Sequence, residues 1–400
     1  MMEINSNQNS LVTMLFMVFL ITSCSTVDVK TTQVVAVNHI IEDMPENELL
    51  DIGITIFANG LENIDQLDED ELVFPEIRVA EASFFPYLLM EAIQSSSAWG
   101  AVRVIPLGHD SVDVIIAGEI VKSDGELMVL KIDVTDVSGM RWFDKEYTQK
   151  ASKYSYNKKA QRNNDPFQNI YNRIANDVNA YRRQLTAAQK IALRQVSEMK
   201  FAQSFAPQQF SKHLSKTSSG YLTVNRLPAE NDPMIVRIRQ VRERVHLFID
   251  TLQEYYGGYV KEMKEPYSQW RQESYSEVMA MRSMKSKASN QKLIGAVAIV
   301  AGILGAGNGN GSVRAASAIG VTTGAYLLKA GYDREAEAQI HIDALQELGD
   351  SLEASIESHV IELDDRTITL TGTVENQYQQ WRDILQDIYQ LDASSSGDRD

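Results

Sequence analysis

The chain has 400 residues, of which 44% are hydrophobic and 23% charged, enough for two or three domains with buried cores. Its formal net charge of −16 argues against nucleic-acid binding, which relies on basic patches, and against broad adsorption to anionic lipid. The single cysteine excludes an intrachain disulfide and a cysteine-rich zinc site.

The N-terminal stretch 11–25 reads LVTMLFMVFLITSCS. Residues 11–22 carry no charge, and this run is shorter than the roughly 20 residues that span a bilayer. It matches the apolar region of a secretory signal, about 7–15 residues. The run ends at Ile21-Thr22-Ser23-Cys24, which resembles the lipobox of bacterial lipoproteins. The alternatives are a plain signal peptide and a buried core cysteine.

The lipobox resemblance implies a signal peptide over residues 1–23 and acylation of Cys24, the first mature residue. Residues 24–32 are mostly small and polar and are interpreted as a tether. In lipoproteins an aspartate after the cysteine retains the protein at the inner membrane. Ser25 stands there in this chain, so the resemblance implies an outer-membrane protein that faces the periplasm.

Residues 33–200 are predicted to form a small α/β binding domain. One helix is predicted to start at Ser83–Pro86, and a long one at Asp165-Pro166, continuing to Met199. Turns at Ser123-Asp124-Gly125 and Ser138-Gly139 predict a meander. The strands are predicted from β-branched runs at 34–41, 52–57, 101–106, 112–121, 127–134 and 140–147.

The order of a helix, the run Ala101–Pro106 and the alternating run Val112–Ile120 resembles a domain of several envelope proteins. Examples are the N-terminal domain of TolB-type proteins and the lipoprotein activators of peptidoglycan synthases. The resemblance covers about a third of the chain. It implies a protein-binding module without catalytic activity.

Residues 201–265 are predicted to be a linker, over 203–227, followed by a helix that begins at Asp232-Pro233. The Tyr255–Tyr259 stretch, with its two glycines, is predicted to end or kink this helix. Four arginines at 237, 239, 242 and 244 are interpreted as a solvated face. Apolar residues three and four apart form a heptad-like seam: Ile238, Val241, Val245, Phe248, Leu252 and Tyr255.

Residues 266–359 are predicted to form a long antiparallel helical hairpin with a glycine-rich tip at Gly305–Gly311. Its two arms contain uncharged runs at 293–306 and 315–328. Small residues recur there every three or four positions and predict close helix packing: Gly295, Ala298, Gly302, Gly305, Ala316, Gly320 and Gly324.

This small-residue pattern resembles the glycine zippers of bacterial outer-membrane lipoproteins, and the resemblance implies a homo-oligomer or a membrane-inserting segment. The alternative is a tightly packed soluble hairpin. Each apolar arm has 14 residues, about 21 Å of helix, which is shorter than the hydrocarbon core of about 30 Å.

The C-terminal piece, residues 360–391, is predicted to be a β-hairpin around Asp364–Arg366 and an amphipathic helix, packed on the base of the long hairpin. Residues 392–400 are predicted to be a disordered tail. The whole chain is therefore predicted to be α+β.

Residue types that carry catalysis or bind metals do not form a recognisable pattern. The six histidines lack metal-ligand spacing, and the acidic run at 65–71 lacks the glycine and final glutamate of a calcium loop. His109-Asp110-Ser111 contains the residue types of a catalytic triad, but adjacency in sequence does not make one.

We therefore expect no enzyme activity, no cofactor and no metal. The sequence predicts a lipid-anchored envelope protein that oligomerises or inserts through its glycine hairpin and binds a periplasmic protein partner. The alternative is an accessory or activator lipoprotein for lipid transport or cell-wall synthesis, in which the hairpin is a soluble spacer. A third hypothesis is a hydrolase that acts on wall or lipid.

Overall fold

The computed structural model describes residues 34–39, 44–62, 75–109, 111–156, 165–291, 359–363 and 366–397. A five-stranded sheet is the centre of the fold, in the order β2-β1-β3-β4-β5. The strands β1, β2 and β3 are parallel, and β3, β4 and β5 form an antiparallel meander. The five strands are β1 (Ile52–Thr55), β2 (Val102–Ile105), β3 (Val114–Ser123), β4 (Leu127–Asp136) and β5 (Arg141–Lys150).

Six α-helices surround or extend from this sheet within the described residues, together with two small two-stranded sheets. The helices are α1 (Pro75–Gln94), α2 (Gln168–Arg182), α3 (Ala187–Phe205), α4 (Pro207–Phe210), α5 (Pro233–Gln291) and α6 (Val374–Gly397). The small sheets pair β6 (Leu214–Lys216) with β7 (Leu222–Val224), and β8 (His359–Leu363) with β9 (Arg366–Leu370). The predicted mixed α+β class is confirmed.

The two predicted meander turns join β3 to β4 and β4 to β5. Gly139 adopts φ +91°, which favours glycine, and Asp136 Oδ1 accepts hydrogen bonds from the backbone N–H groups of Ser138 and Met140. At the other turn, Asp124 Oδ1 accepts from two backbone N–H groups. Local hydrogen bonds to an aspartate side chain therefore stabilise the conformation of each turn.

Helix α1 begins eight residues before the predicted start, and Pro86 lies in its interior. A proline removes the hydrogen bond to the carbonyl four residues earlier, which here belongs to Ala82. That carbonyl instead accepts a hydrogen bond from the N–H of Phe57, at 3.0 Å. The loop after β1 therefore compensates for the proline, and the prediction of a helix start at Ser83–Pro86 was wrong.

Helix α5 runs without interruption through Gly257-Gly258, so the predicted end of the helix there was wrong. Each glycine costs a helix about 1 kcal/mol relative to alanine. The neighbouring side chains of Tyr256, Tyr259 and Met263 are buried, and each buried large side chain contributes about 1.5–3 kcal/mol. Packing on the domain therefore outweighs the local preference of the glycines.

The segment 34–39 was predicted to be a strand, but it lies extended along α2 outside any sheet. Asn169 Oδ1 accepts from Val35 N–H at 2.6 Å, and Asn172 Nδ2 donates to Val35 O at 2.7 Å. One further turn along, Asn176 bonds the backbone of Ala36 and Asn38. Three asparagine side chains thus satisfy the backbone groups that a neighbouring strand would satisfy.

Other boundaries also differ from the prediction. The helix expected at Asp165-Pro166 begins at Gln168 and ends at Arg182, where α3 follows after a capping box at Thr186. The predicted linker at 203–227 contains the end of α3, α4 and the β6–β7 pair.

Helix α5 protects the exposed edge of the sheet at β2. Gln253 Oε1 accepts from Val104 N–H at 2.9 Å, and Gln253 Nε2 donates to Val104 O at 2.8 Å. On the exposed side, Arg103 pairs with Asp250. The side-chain amide thus takes the place of a further strand, and edge-to-edge association is blocked.

Helix α6 runs antiparallel to the first part of α5. Trp381 Nε1 donates to Arg244 O at 3.3 Å, and the Tyr389 hydroxyl lies 4.0 Å from the sulfur of Met234. Of the residues predicted to form the inner face of this helix, Tyr378, Trp381 and Leu385 are buried and Ile388 is half-buried.

Candidate functional site

The predicted lipidation and helix-packing residues lie outside the described residues. These are Cys24 and the seven small residues Gly295, Ala298, Gly302, Gly305, Ala316, Gly320 and Gly324. The acidic run at 65–71 also lies outside them.

A buried polar junction forms where the β2–β3 connection meets α5. Ser111 Oγ lies 3.0 Å from His246 Nε2 and accepts a hydrogen bond from Arg242 Nε at 3.1 Å. Arg242 Nη2 also donates to Ser111 O and to Ser197 Oγ of α3, at 3.1 and 2.8 Å. Arg242 was predicted to lie on a solvated face, and this is wrong: its guanidinium joins three elements.

The same junction extends to α6 through His109. Its Nδ1 lies 2.8 Å from the Tyr378 hydroxyl, and its ring meets that of His246 edge to face at 6.4 Å. Burial, with help from the nearby cations, lowers the pKa of His109 to about 3 and that of His246 to about 4. Both imidazoles are therefore neutral at physiological pH.

Ser111 and His246 have the types of a nucleophile and its base, but the geometry favours a structural role. His246 Nε2 also lies 3.4 Å from the carbonyl oxygen of Ser111, which can only accept a hydrogen bond. The Nε2–H tautomer serves both oxygens, and in that form the ring cannot take the serine proton. Ser111 is only 1% exposed, so a substrate has no access to it.

A second buried network joins α1, α5 and the β3–β4 turn. The Glu81 carboxylate accepts hydrogen bonds from Ser123 and from Tyr267, at 2.5 Å each. Burial raises the pKa of Glu81, although Arg78 and Arg271 oppose this. The guanidinium of Arg271 bonds Asp165 at 3.2 Å and lies 4.3 Å from the ring centre of Tyr267.

An open groove of about 370 Å³ lies above this network, between α1 and α5. Its floor and walls are apolar in part, and charged side chains stand among them. Its lining includes Tyr87, Leu88, Glu91, Asp165, Gly257, Val260, Lys261, Lys264, Tyr267 and Arg271. Sequence reasoning missed this groove, because its walls are joined only by the packing of helices far apart in the chain.

None of the helices in the described residues has the length and apolar character that crossing a bilayer requires. The histidine, aspartate and glutamate side chains of the described residues form no cluster of three or more that could hold a metal ion.

The described fold places the chain in the mixed α+β class, with a five-stranded sheet and a long helix that crosses its edge. No protein-family model matches the chain, and no curated protein or solved structure shows significant similarity to it.

Proposed function

We propose that this is a non-catalytic, lipid-anchored envelope protein whose α/β domain holds the base of a long helical hairpin at the outer membrane. The hairpin oligomerises or enters the bilayer through its glycine-rich zone, and the domain binds a periplasmic protein partner. The support comes from where the described chain leaves and rejoins the domain.

The segment 34–39 and helix α5 both contact residues at or just before the start of α2. Val35 is bonded to Asn169 in the first turn of α2, and the chain then runs along α2 toward its C-terminus. Asp165, just before α2, bonds Arg271 of α5. The described chain therefore begins, at Val34, at the end of α2 that lies beside Arg271 of α5.

The segment from Cys24 to Val34 and the segment from Arg271 to Leu293 can span similar distances, and this similarity carries the proposal. Cys24 precedes Val34 by ten residues, which extend at most about 36 Å. The apolar arm begins at Leu293, 22 residues beyond Arg271, or about 33 Å of helix if α5 continues. An acylated Cys24 and the start of the glycine-rich zone can therefore reach one bilayer surface together.

The return of the chain also supports a hairpin. From the spacing of its contacts with α5, helix α6 begins near the level of Leu252, so the chain that passes Gln291 comes back to that level by Val374. A straight helix from Leu252 to Gly305 is about 80 Å long. If residues 312–358 formed a helix, it would be about 70 Å long, which covers most of that distance.

The test is crosslinking in native membranes with the double substitution Gly302→Leu and Gly320→Leu. The zipper role predicts loss of the oligomer bands or easier extraction from the membrane. A matched control is Gly258→Leu, because a Cβ at Gly258 meets nothing within 4 Å. A parent protein that crosslinks only as a monomer contradicts the zipper role.

The second candidate is an accessory or activator lipoprotein whose hairpin is a soluble spacer. It is favoured by the 14-residue length of each apolar arm, about 21 Å against a hydrocarbon core of about 30 Å. In that case the double substitution leaves extraction and oligomer size unchanged. Capture of partners from solubilised envelopes then becomes the informative experiment.

A further inference from the structure

We propose that the groove between α1 and α5 binds a single-chain amphiphile with an anionic head group, such as a fatty acid. This goes beyond the anchoring role, because the groove belongs to the domain and does not depend on Cys24 or on the hairpin. Three features of the groove support it.

The first feature is the size and apolar character of the groove. A volume of about 370 Å³ lies within the range of small-molecule sites, about 300–1,000 Å³. Leu88 of α1 and Val260 of α5 face it from opposite walls, and the buried ring of Tyr267 contributes to the floor. This lining suits an alkyl chain.

The second feature is a local excess of positive charge in a chain whose net charge is −16. Lys261, Lys264 and Arg271 line the groove, against the two carboxylates Glu91 and Asp165. Arg271 is 1% exposed; it bonds Asp165 through Nη1, and its guanidinium lies 4.4 and 4.3 Å from the ring centres of Phe167 and Tyr267. The charged side chains that line the groove therefore comprise three cations and two carboxylates.

Burial also affects two carboxyl groups at and beneath the groove. It raises the pKa of Glu81, which lies beneath the groove near Arg271, and that of Glu91 at the rim. In both groups burial disfavours the charged carboxylate, and a neighbouring cation opposes this effect. An anionic head group at the lysine rim, with its tail on the apolar wall, satisfies both parts of the groove.

The third feature is Gly257, whose lack of a side chain leaves the groove open on the side of α5. A Cβ at this position would lie 2.8 Å from the Tyr87 hydroxyl, so any side chain there enters the groove. A Cβ at the next residue, Gly258, would meet no atom within 4 Å. The pair offers a blocking variant, Gly257→Leu, and a matched control, Gly258→Leu, with the same change in helix preference.

The experiment is equilibrium dialysis of the purified full chain against labelled dodecanoate at pH 7.5. The head group is varied with dodecanol, dodecyltrimethylammonium, a dodecyl-chain lysophosphatidate and inorganic phosphate as competitors. We expect saturable binding of dodecanoate at one site, weakened at least tenfold by Gly257→Leu and unchanged by Gly258→Leu. Lys264→Glu should weaken dodecanoate at least fivefold and leave dodecanol unaffected.

The competitors also identify the head group. Displacement by lysophosphatidate as strong as by dodecanoate assigns the site to any anionic head, and weaker displacement assigns it to carboxylates. Inorganic phosphate alone should not displace the probe. The proposal is overturned if dodecanoate does not saturate, if the cationic amphiphile competes equally, or if the two glycine variants behave alike. Each variant's urea-unfolding midpoint shows whether it is folded.

Discussion

His109 makes the stability of the domain depend on pH in a direction and size that follow from its surroundings. It is 3% exposed, and its neighbours from three elements include His246, Arg242, Arg103 and Arg382. Its folded pKa of about 3 lies below the ordinary 6.5, so the unfolded chain binds a proton that the folded chain does not. Stability contributed by the neutral ring is therefore lost as pH falls from about 6.5 toward 3.

The magnitude follows from the linkage relation, in which each pH unit across that window costs about 1.36 kcal/mol for one proton. At pH 5, about 1.5 units below the ordinary pKa, the loss is about 2 kcal/mol. His246 acts in the same direction, since its pKa is lowered to about 4. Glu81 and Asp113 act in the opposite direction, because burial raises their pKa and stabilises the folded acid form.

The perturbation that isolates His109 is His109→Gln, which does not titrate and can still bond the Tyr378 hydroxyl. Urea unfolding of both proteins, followed by tryptophan fluorescence at pH 7.5 and pH 5, gives the free energy of unfolding. The parent should lose about 2 kcal/mol more than the variant between the two values, and the other titrating groups largely cancel in this comparison. An equal loss in parent and variant would refute the assignment.

The remaining predictions concern stability and association, measured by urea unfolding and light scattering. Glu81→Ala should destabilise the domain by about 3–5 kcal/mol, because it leaves buried arginines without their carboxylate, whereas Glu81→Gln should cost less; equal costs would contradict a charge role. Gly125→Ala should cost more than 2 kcal/mol, since its Cβ would collide with backbone atoms of α5, while Gly258→Ala should be neutral or stabilising by up to about 1 kcal/mol. Gln253→Ala leaves both backbone groups of Val104 unpaired and should cost about 1–3 kcal/mol and promote self-association; a monomer of unchanged stability would argue against edge protection.

The meander was predictable from the sequence because its determinants are local. Alternating strands and the turns at Asp124-Gly125 and Ser138-Gly139 act over a few residues, so their positions could be predicted closely. The seam of α5 was predictable for the same reason. Five of its six residues, from Ile238 to Leu252, are buried as the spacing indicates.

The errors arose where distant residues override local preference. Pro86 is accommodated because Phe57 supplies a hydrogen bond to Ala82, and Gly257 because Tyr87 packs against it. The segment at 34–39 has strand-like residues, but asparagine side chains of α2 form the hydrogen bonds with its backbone that a neighbouring strand would form. Such compensations cannot be read from a short window of sequence.

The candidate sites also depend on contacts between residues that are far apart in the chain. The pair formed by Ser111 and His246 is 135 residues apart in the chain, and the groove depends on helices α1 and α5, so neither follows from spacing. The sequence indicates His109 and Ser111 by their residue types. Their partners Tyr378, His246 and Arg242 lie far away in the chain and meet them only on folding.

Mass spectrometry of the processed protein from its native envelope tests the anchoring claim most directly. We expect a mature chain that begins at Cys24 and carries the added mass of fatty acyl chains on that residue. An unmodified thiol at Cys24, or a protein that retains residues 1–23, would contradict it.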